Sequence, residues 1–235
     1  MSDKTIEIRQ PEIETLARLL GDPRVKIRAK AAQTLGKIGN ETVEDDLINT
    51  LQDESAIVRE QAVIALGNIS SQKAIVRLVN MLDDPSPEVR ESIVNFIGNS
   101  ASPQTIPILL KTLDDAAPNV RARAANLLGQ FHHPNTIPHL IKVLSDPNLI
   151  VGQSAAIALS QMDAKIVFPE LLQILAQEDS IARGNTAISL GYLGTEEVIP
   201  VLLKLLEDAD VTVQENAIDA LGQIGSNKSM TRSVA

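Results

Sequence analysis

Apolar residues return along this chain at two nested spacings. The short one is helical: Ile106, Leu109, Leu110 and Leu113 stand at i, i+3, i+4 and i+7, one face of a helix. The long one is 31 residues. Leu20, Leu51, Leu82, Leu113, Leu144, Leu175 and Leu206 keep that interval throughout, as do Leu16, Leu47, Leu78, Leu109, Leu140, Leu171 and Leu202. A third column reads Gly36, Gly67, Gly98, Gly129, Ser160, Gly191, Gly222. Seven copies without insertion span 9–225, as 9–39, 40–70, 71–101, 102–132, 133–163, 164–194 and 195–225. A fixed period of this size is the mark of a solenoid, in which each unit covers the apolar face of its neighbour.

Each unit predicts two helices. Pro107, Pro138, Pro169 and Pro200 recur near the start of the first, where a missing N–H costs least. Ser55, Ser86, Asn148, Asp179 and Asp210 share one column ahead of the second and can cap its free N–H groups. Val120, Ala124, Leu128 and Phe131 form the second helix's buried face in the fourth copy. The glycine column falls in that helix's last turn, where it either admits a neighbouring helix or releases the chain. The expected architecture is all-α: a single α-solenoid of seven two-helix repeats in a right-handed superhelix. A lead-in, 1–8, precedes it, and a polar stretch, 226–235, reads as disordered.

Composition narrows the chemistry. With three Phe, one Tyr and no Trp, the core must be built from Leu, Ile, Val and Ala. The absence of Cys excludes disulfides and thiolate chemistry and fits a cytoplasmic protein. No run is long and apolar enough for membrane insertion. A net charge of −9 argues against nucleic acid, whose binders depend on Lys and Arg at the phosphates. The positive charge gathers at Arg18, Arg24, Lys26, Arg28, Lys30 and Lys37 in the first repeat. His132, His133 and His139 lack the i, i+4 spacing of a helical metal pair and read as turn residues. Asp45–Asp46, Asp83–Asp84 and Asp114–Asp115 read as turn and capping residues. No cofactor, metal site or catalytic group is expected.

The stretch Asp22…Ile27-Arg28-Ala29-Lys30-Ala31-Ala32-Gln33-Thr34-Leu35-Gly36-Lys37-Ile38-Gly39 resembles the short HEAT-like repeat of the phycobilisome lyase type. The resemblance implies an Asp–Arg ladder, present as Asp22/Arg28, Asp53/Arg59, Asp84/Arg90 and Asp115/Arg121, that ties turns together. It breaks at Gly152 and Gln214. Glycine inside a helix, at Gly152 and again at Gly184, costs about 1 kcal/mol relative to Ala. The resemblance also implies that second helices line a concave, partner-binding surface.

On that surface most outward columns are polar, as in Glu88, Glu91, Asn95 and Asn99. Repeats five and six differ. Ile150 and Ile157, and Ile181 and Ile188, are seven apart, so each pair shares a helix face. Gln153, Gln161, Asn185 and Tyr192 are expected to edge the apolar patch they make. The reading is a non-enzymatic scaffold that binds a partner protein there. The alternative implied by the resemblance is a phycobilin lyase subunit, or a protein that handles a phycobiliprotein and binds its tetrapyrrole or carrier.

Overall fold

A computed structural model of the chain describes residues 9–99 and 102–232, apart from the side chains of 227–232. The lead-in, 1–8, lies outside the described residues. Those described form fourteen α-helices and no strand. The chain divides into two compact units, Met1–Ser100 and Ala101–Ala235, with the break between the third and fourth repeats.

In the first unit the helices are α1 (Gln10–Arg18), α2 (Val25–Ile38), α3 (Glu44–Thr50), α4 (Ala56–Asn68), α5 (Ala74–Val79) and α6 (Pro87–Asn99). In the second they are α7 (Ile106–Thr112), α8 (Pro118–Gln130), α9 (Ile137–Val143), α10 (Leu149–Ser160), α11 (Ala164–Ile174), α12 (Ser180–Leu193), α13 (Ile199–Leu205) and α14 (Val211–Arg232). Odd-numbered helices are the first of each repeat and even-numbered ones the second. The second helices stack in rows, α2–α4–α6 in one unit and α8–α10–α12–α14 in the other, and each first helix packs on its own second helix. The fold is an α-solenoid.

The 31-residue columns are its core. Leu47, Leu78, Leu109, Leu140, Leu171 and Leu202 are all fully buried. So are Val58, Val89, Val120, Val151 and Val213, which face inward from the second helices. Burying each such side chain contributes roughly 1.5–3 kcal/mol.

Several local expectations are revised. Pro107, Pro138 and Pro200 open α7, α9 and α13, but Pro169 lies inside α11. In that repeat Asp163 starts the helix earlier, accepting a hydrogen bond from the Lys165 N–H. Asn148, Asp179 and Asp210 cap α10, α12 and α14. The Ser55 side chain caps nothing; instead its own N–H donates to Asp53. Helix α14 runs on to Arg232, so it covers the first part of 226–235, where composition alone predicts disorder; 233–235 lie outside the described residues.

The ladder is built differently from its sequence pairing. Arg28, Arg59, Arg121 and Arg183 each join the aspartate of the next repeat, 25 residues on, and the arginine's own repeat supplies a carbonyl. Arg28 Nε donates to Asp53 at 2.6 Å while Nη1 donates to the Asp22 carbonyl at 2.9 Å. Arg59–Asp84, Arg121–Asp146 and Arg183–Asp208 repeat the bidentate pair. Asp22 pairs with Arg24 instead. For Asp53, Asp84 and Asp146 burial opposes ionisation, but the guanidinium and a backbone N–H two residues on outweigh it, leaving each below the usual carboxylate range. For Asp208 the Arg183 hydrogen bond is the largest influence and the result is the same.

Candidate partner-binding face

Helix α10 reads LIVGQSAAIALS and carries no charged residue. Val151, Ala155 and Leu159 go into the core, which turns Ile150, Gln153 and Ile157 outward. Helix α12 has one charge, Arg183, and Asp208 holds it. Its outward positions are Ile181, Ile188 and Tyr192. Helix α14 completes the row with Asn216, Asp219 and Gln223.

Between these three helices lies a hollow of about 250 Å³ lined by Gln153, Ile157, Ile188, Tyr192, Asn216, Asp219, Ala220 and Gln223. It gathers four of the eight residues expected at the patch. Tyr192 is 48% exposed, whereas Ile157 and Ile188 are half-buried in its wall. Ile150 and Ile181, at 66% and 46% exposure, stand at the first turns of α10 and α12, outside the lining. Gln161 is exposed but lies back over Gly129 of α8.

Asn185 is not an edge residue. It is 2% exposed, and its amide donates to the Leu144 carbonyl at 2.8 Å. Its direction follows from Gly152: a Cβ there would lie 2.2 Å from Asn185 Nδ2, so only glycine leaves the amide its path. Gly184 is likewise buried, with Asn216 lying over it.

Four lining residues, Asn216, Asp219, Ala220 and Gln223, fall outside the sequence-predicted set. A signal for three of them existed. Asp219 continues the Ile157–Ile188 column by one more repeat, and Gln223 continues Gln161–Tyr192. Asn216 is one repeat beyond Asn185.

Larger hollows occur at the turns between first and second helices. One of about 530 Å³ is lined in part by Leu113, Asp114, Lys142, Val143, Ser145 and Asp146. In the first unit Leu20, Gly21, Asn49, Thr50, Gln52 and Asp53, at the same repeat positions, line another. A hollow that recurs at equivalent positions is a product of repeat geometry. The hollow on α10, α12 and α14 is lined instead by side chains of three second helices.

His132 and His133 serve the turn, whereas His139 lies within α9 and is exposed. His132 adopts φ 50° with Nδ1 2.8 Å from the Gln130 carbonyl oxygen, and His133 Nδ1 accepts from the Asn135 N–H at 3.3 Å. Among the described residues no group of three or more His, Asp or Glu is arranged to hold a metal ion, and no helix is long and apolar enough to cross a membrane. In the first repeat Arg24 and Arg28 are engaged by Asp22 and Asp53, leaving Arg18, Lys26 and Lys37 among its exposed cations.

Stacked two-helix units joined by Arg–Asp rungs define a class of helical-repeat protein. HEAT-repeat models match the chain over 13–95, 44–117, 106–175 and 168–232, and the protein belongs to the HEAT-repeat family. No curated protein matches it. Among solved structures it is similar to the complex of CpcE and CpcF of phycocyanin lyase from Nostoc sp. PCC7120, at 23% identity over 96% of this chain and 97% of that one, with TM-score 0.56. It is also similar to YibA of Escherichia coli, at 27% identity over 90% and 81% of the two chains, TM-score 0.59. A complex of Kap95p with RanGDP gives TM-score 0.71 at 13% identity, covering 92% of this chain but 35% of that one. The first and third likenesses establish the fold and carry nothing about activity.

Proposed function

We propose that the protein is an interaction scaffold that holds a partner protein on the outward face of α10, α12 and α14, acting by binding and not by chemistry. The observation that carries this reading is the hollow of about 250 Å³ walled by Ile157, Ile188 and Tyr192, with Ile150 and Ile181 exposed on the same two helices. Elsewhere the same columns are polar except on α4, where Ile57 and Ile64 are exposed. Contiguous exposed apolar surface on a soluble helical face marks an interaction site, and a Tyr beside aliphatic side chains is a frequent anchor. The similar CpcE–CpcF and Kap95p–RanGDP structures are themselves protein complexes.

The phycobilin reading fits this face less well. A tetrapyrrole's propionates ask for Arg or Lys beside the apolar trough. Among the described side chains α10 offers none, α12 offers only the Asp208-bound Arg183, and α14 adds Glu215 and Asp219. A phycobiliprotein surface, as opposed to free bilin, stays within the scaffold reading.

Capture from a lysate of the source organism tests the proposal. Wild type is expected to retain a partner that the Ile157→Asp/Ile188→Asp variant loses, with unchanged helical circular dichroism. Tyr192→Asp, at an exposed position with little packing role, is expected to weaken capture as well. Equal capture by all three forms overturns the reading, and visible absorbance that stays with the purified wild-type protein moves it to a tetrapyrrole.

A further inference from the structure

The charges around the hollow say more about its occupant. Asp219 is the one charged residue in the lining, and Glu215 lies one turn before it on α14, also exposed. Neither takes part in an ion pair among the described residues. The facing helices supply no free cation: α10 is uncharged and Arg183 is bound bidentately by Asp208. Two carboxylates beside an apolar wall therefore meet the occupant without a counter-charge from the described side chains of these three helices. Three further lining side chains, Gln153, Asn216 and Gln223, are amides, each able to donate and to accept. That combination suits a peptide main chain, which offers both kinds of group.

Size points the same way. A hollow of about 250 Å³ is below the roughly 300–1,000 Å³ of pockets that enclose a whole small molecule. It accommodates a side chain presented from outside. Phosphates and lipid headgroups of negative charge would be repelled by Asp219 and Glu215.

Resting on the reading of this face as a partner-binding surface, we infer that its occupant is a basic, amphipathic peptide segment. An aliphatic or aromatic side chain enters between Ile157, Ile188 and Tyr192. A Lys or Arg nearby in the same segment meets Asp219 and Glu215, and the amides bind the intervening backbone. The carboxylates select the partner and orient it, and the apolar wall supplies affinity.

The probe is a library of short random peptides displayed on phage and selected on the full chain, followed by anisotropy titration of a labelled synthetic peptide from the selection. The expected motif is an apolar anchor with Lys or Arg close by. Asp219→Lys, at an exposed position that leaves the fold intact, is expected to weaken that peptide about tenfold or more, and Asp219→Asn less, since the first replaces attraction by repulsion. Added salt should weaken wild-type binding and leave the Asp219→Lys variant less affected. Selected peptides that are acidic or neutral overturn the inference. So does binding that is lost in Tyr192→Asp but unchanged in Asp219→Lys, which leaves the face as a binding surface and removes the basic partner. Insensitivity to both substitutions, or a selection yielding no binder, overturns this inference, and the lysate capture then decides whether the face still holds a folded partner. Self-association of the free protein that Asp219→Lys abolishes would make the occupant a second copy and also overturn it.

Discussion

Position 152 is where the fifth repeat should carry its ladder arginine, and 177 is where the sixth should carry the matching aspartate. Gly152 and Gln177 stand there, so both partners are absent together and neither leaves a stranded charge. Asn185 uses the vacated space. It passes over Gly152 to bond the carbonyl of Leu144, one of those left free at the end of α9. Asn185→Ala removes that donor from a buried carbonyl and should cost about 1–3 kcal/mol in denaturant unfolding. Gly152→Ala in the wild type pushes the amide aside and should also destabilise. In the Asn185→Ala background the same change meets no amide, and the ordinary preference for Ala over Gly in a helix should make it stabilising by up to about 1 kcal/mol. The reversal of sign is the test; additive costs would show that the two residues do not share the space. None of this is legible in the sequence. Gly152 and Asn185 are 33 apart, off the repeat period, and only the direction of the amide joins them.

At the scale of helix pairs the glycine column resolves into close approach. A Cβ on Gly36, Gly129 or Gly191 would come within 2.7 Å of Ala65, Ala158 or Ala220 on the next second helix. The chain leaves its helices elsewhere, at Gly39 and Gly194, which adopt φ 72° and 62°. Not every pair does this: opposite Gly67 the next helix presents Phe96, whose ring would lie 3.4 Å from a Cβ, and the pair α10 and α12 departs further. Ser160 replaces the glycine, and Ser189 stands where other repeats have Ala65, Ala158 and Ala220. The Ser160 hydroxyl is satisfied by the Ile157 carbonyl at 2.7 Å, but Ser189 Oγ is buried without a hydrogen-bond partner. Alanine substitution should therefore give different signs along this stack. Gly191→Ala forces a methyl against Ala220 and should lower stability by about 1–3 kcal/mol. Gly222→Ala meets nothing within 4 Å and should raise it by up to about 1 kcal/mol. Ser189→Ala removes an unpaired buried hydroxyl and should raise it by about 1 kcal/mol. Urea midpoints decide; a stabilising Gly191→Ala would contradict the close approach.

Across the molecule, the repeat count and the core columns are legible because every unit solves the same packing problem against its neighbour, so the solution recurs in the sequence. The direction of the rungs is not. A period shows that Arg and Asp alternate, but whether a long guanidinium reaches its own turn or the next depends on where the helix aims it. The candidate face was half legible. Ile157 and Ile188 share a column, yet Asn185, next to them in sequence, turns inward. The rungs also give both units a common response to acid. Asp53 and Asp84 in one unit, and Asp146 and Asp208 in the other, titrate below their ordinary value. Hydrogen bonds from the Arg24 side chain and backbone hold Asp22 at about 2. A carboxylate depressed on folding stabilises the protein fully above its unfolded value of about 3.9 and loses that contribution as pH falls toward the folded one. Glu60 works in the other sense: burial and the nearby Glu88 and Glu91 push it up, so acidification just above about pH 4.3 favours the folded state there. Side-chain hydrogen bonds also lower Glu12, Glu44, Glu88 and Asp210, so the raised Glu60 is outweighed, and denaturant midpoints should hold nearly level down to about pH 5 and fall steeply below about pH 4. Asp146→Asn should lower the midpoint at neutral pH and flatten the acid limb, its curve converging on wild type as pH falls. A variant that kept the full acid slope would show that this rung's carboxylate plays no part in it.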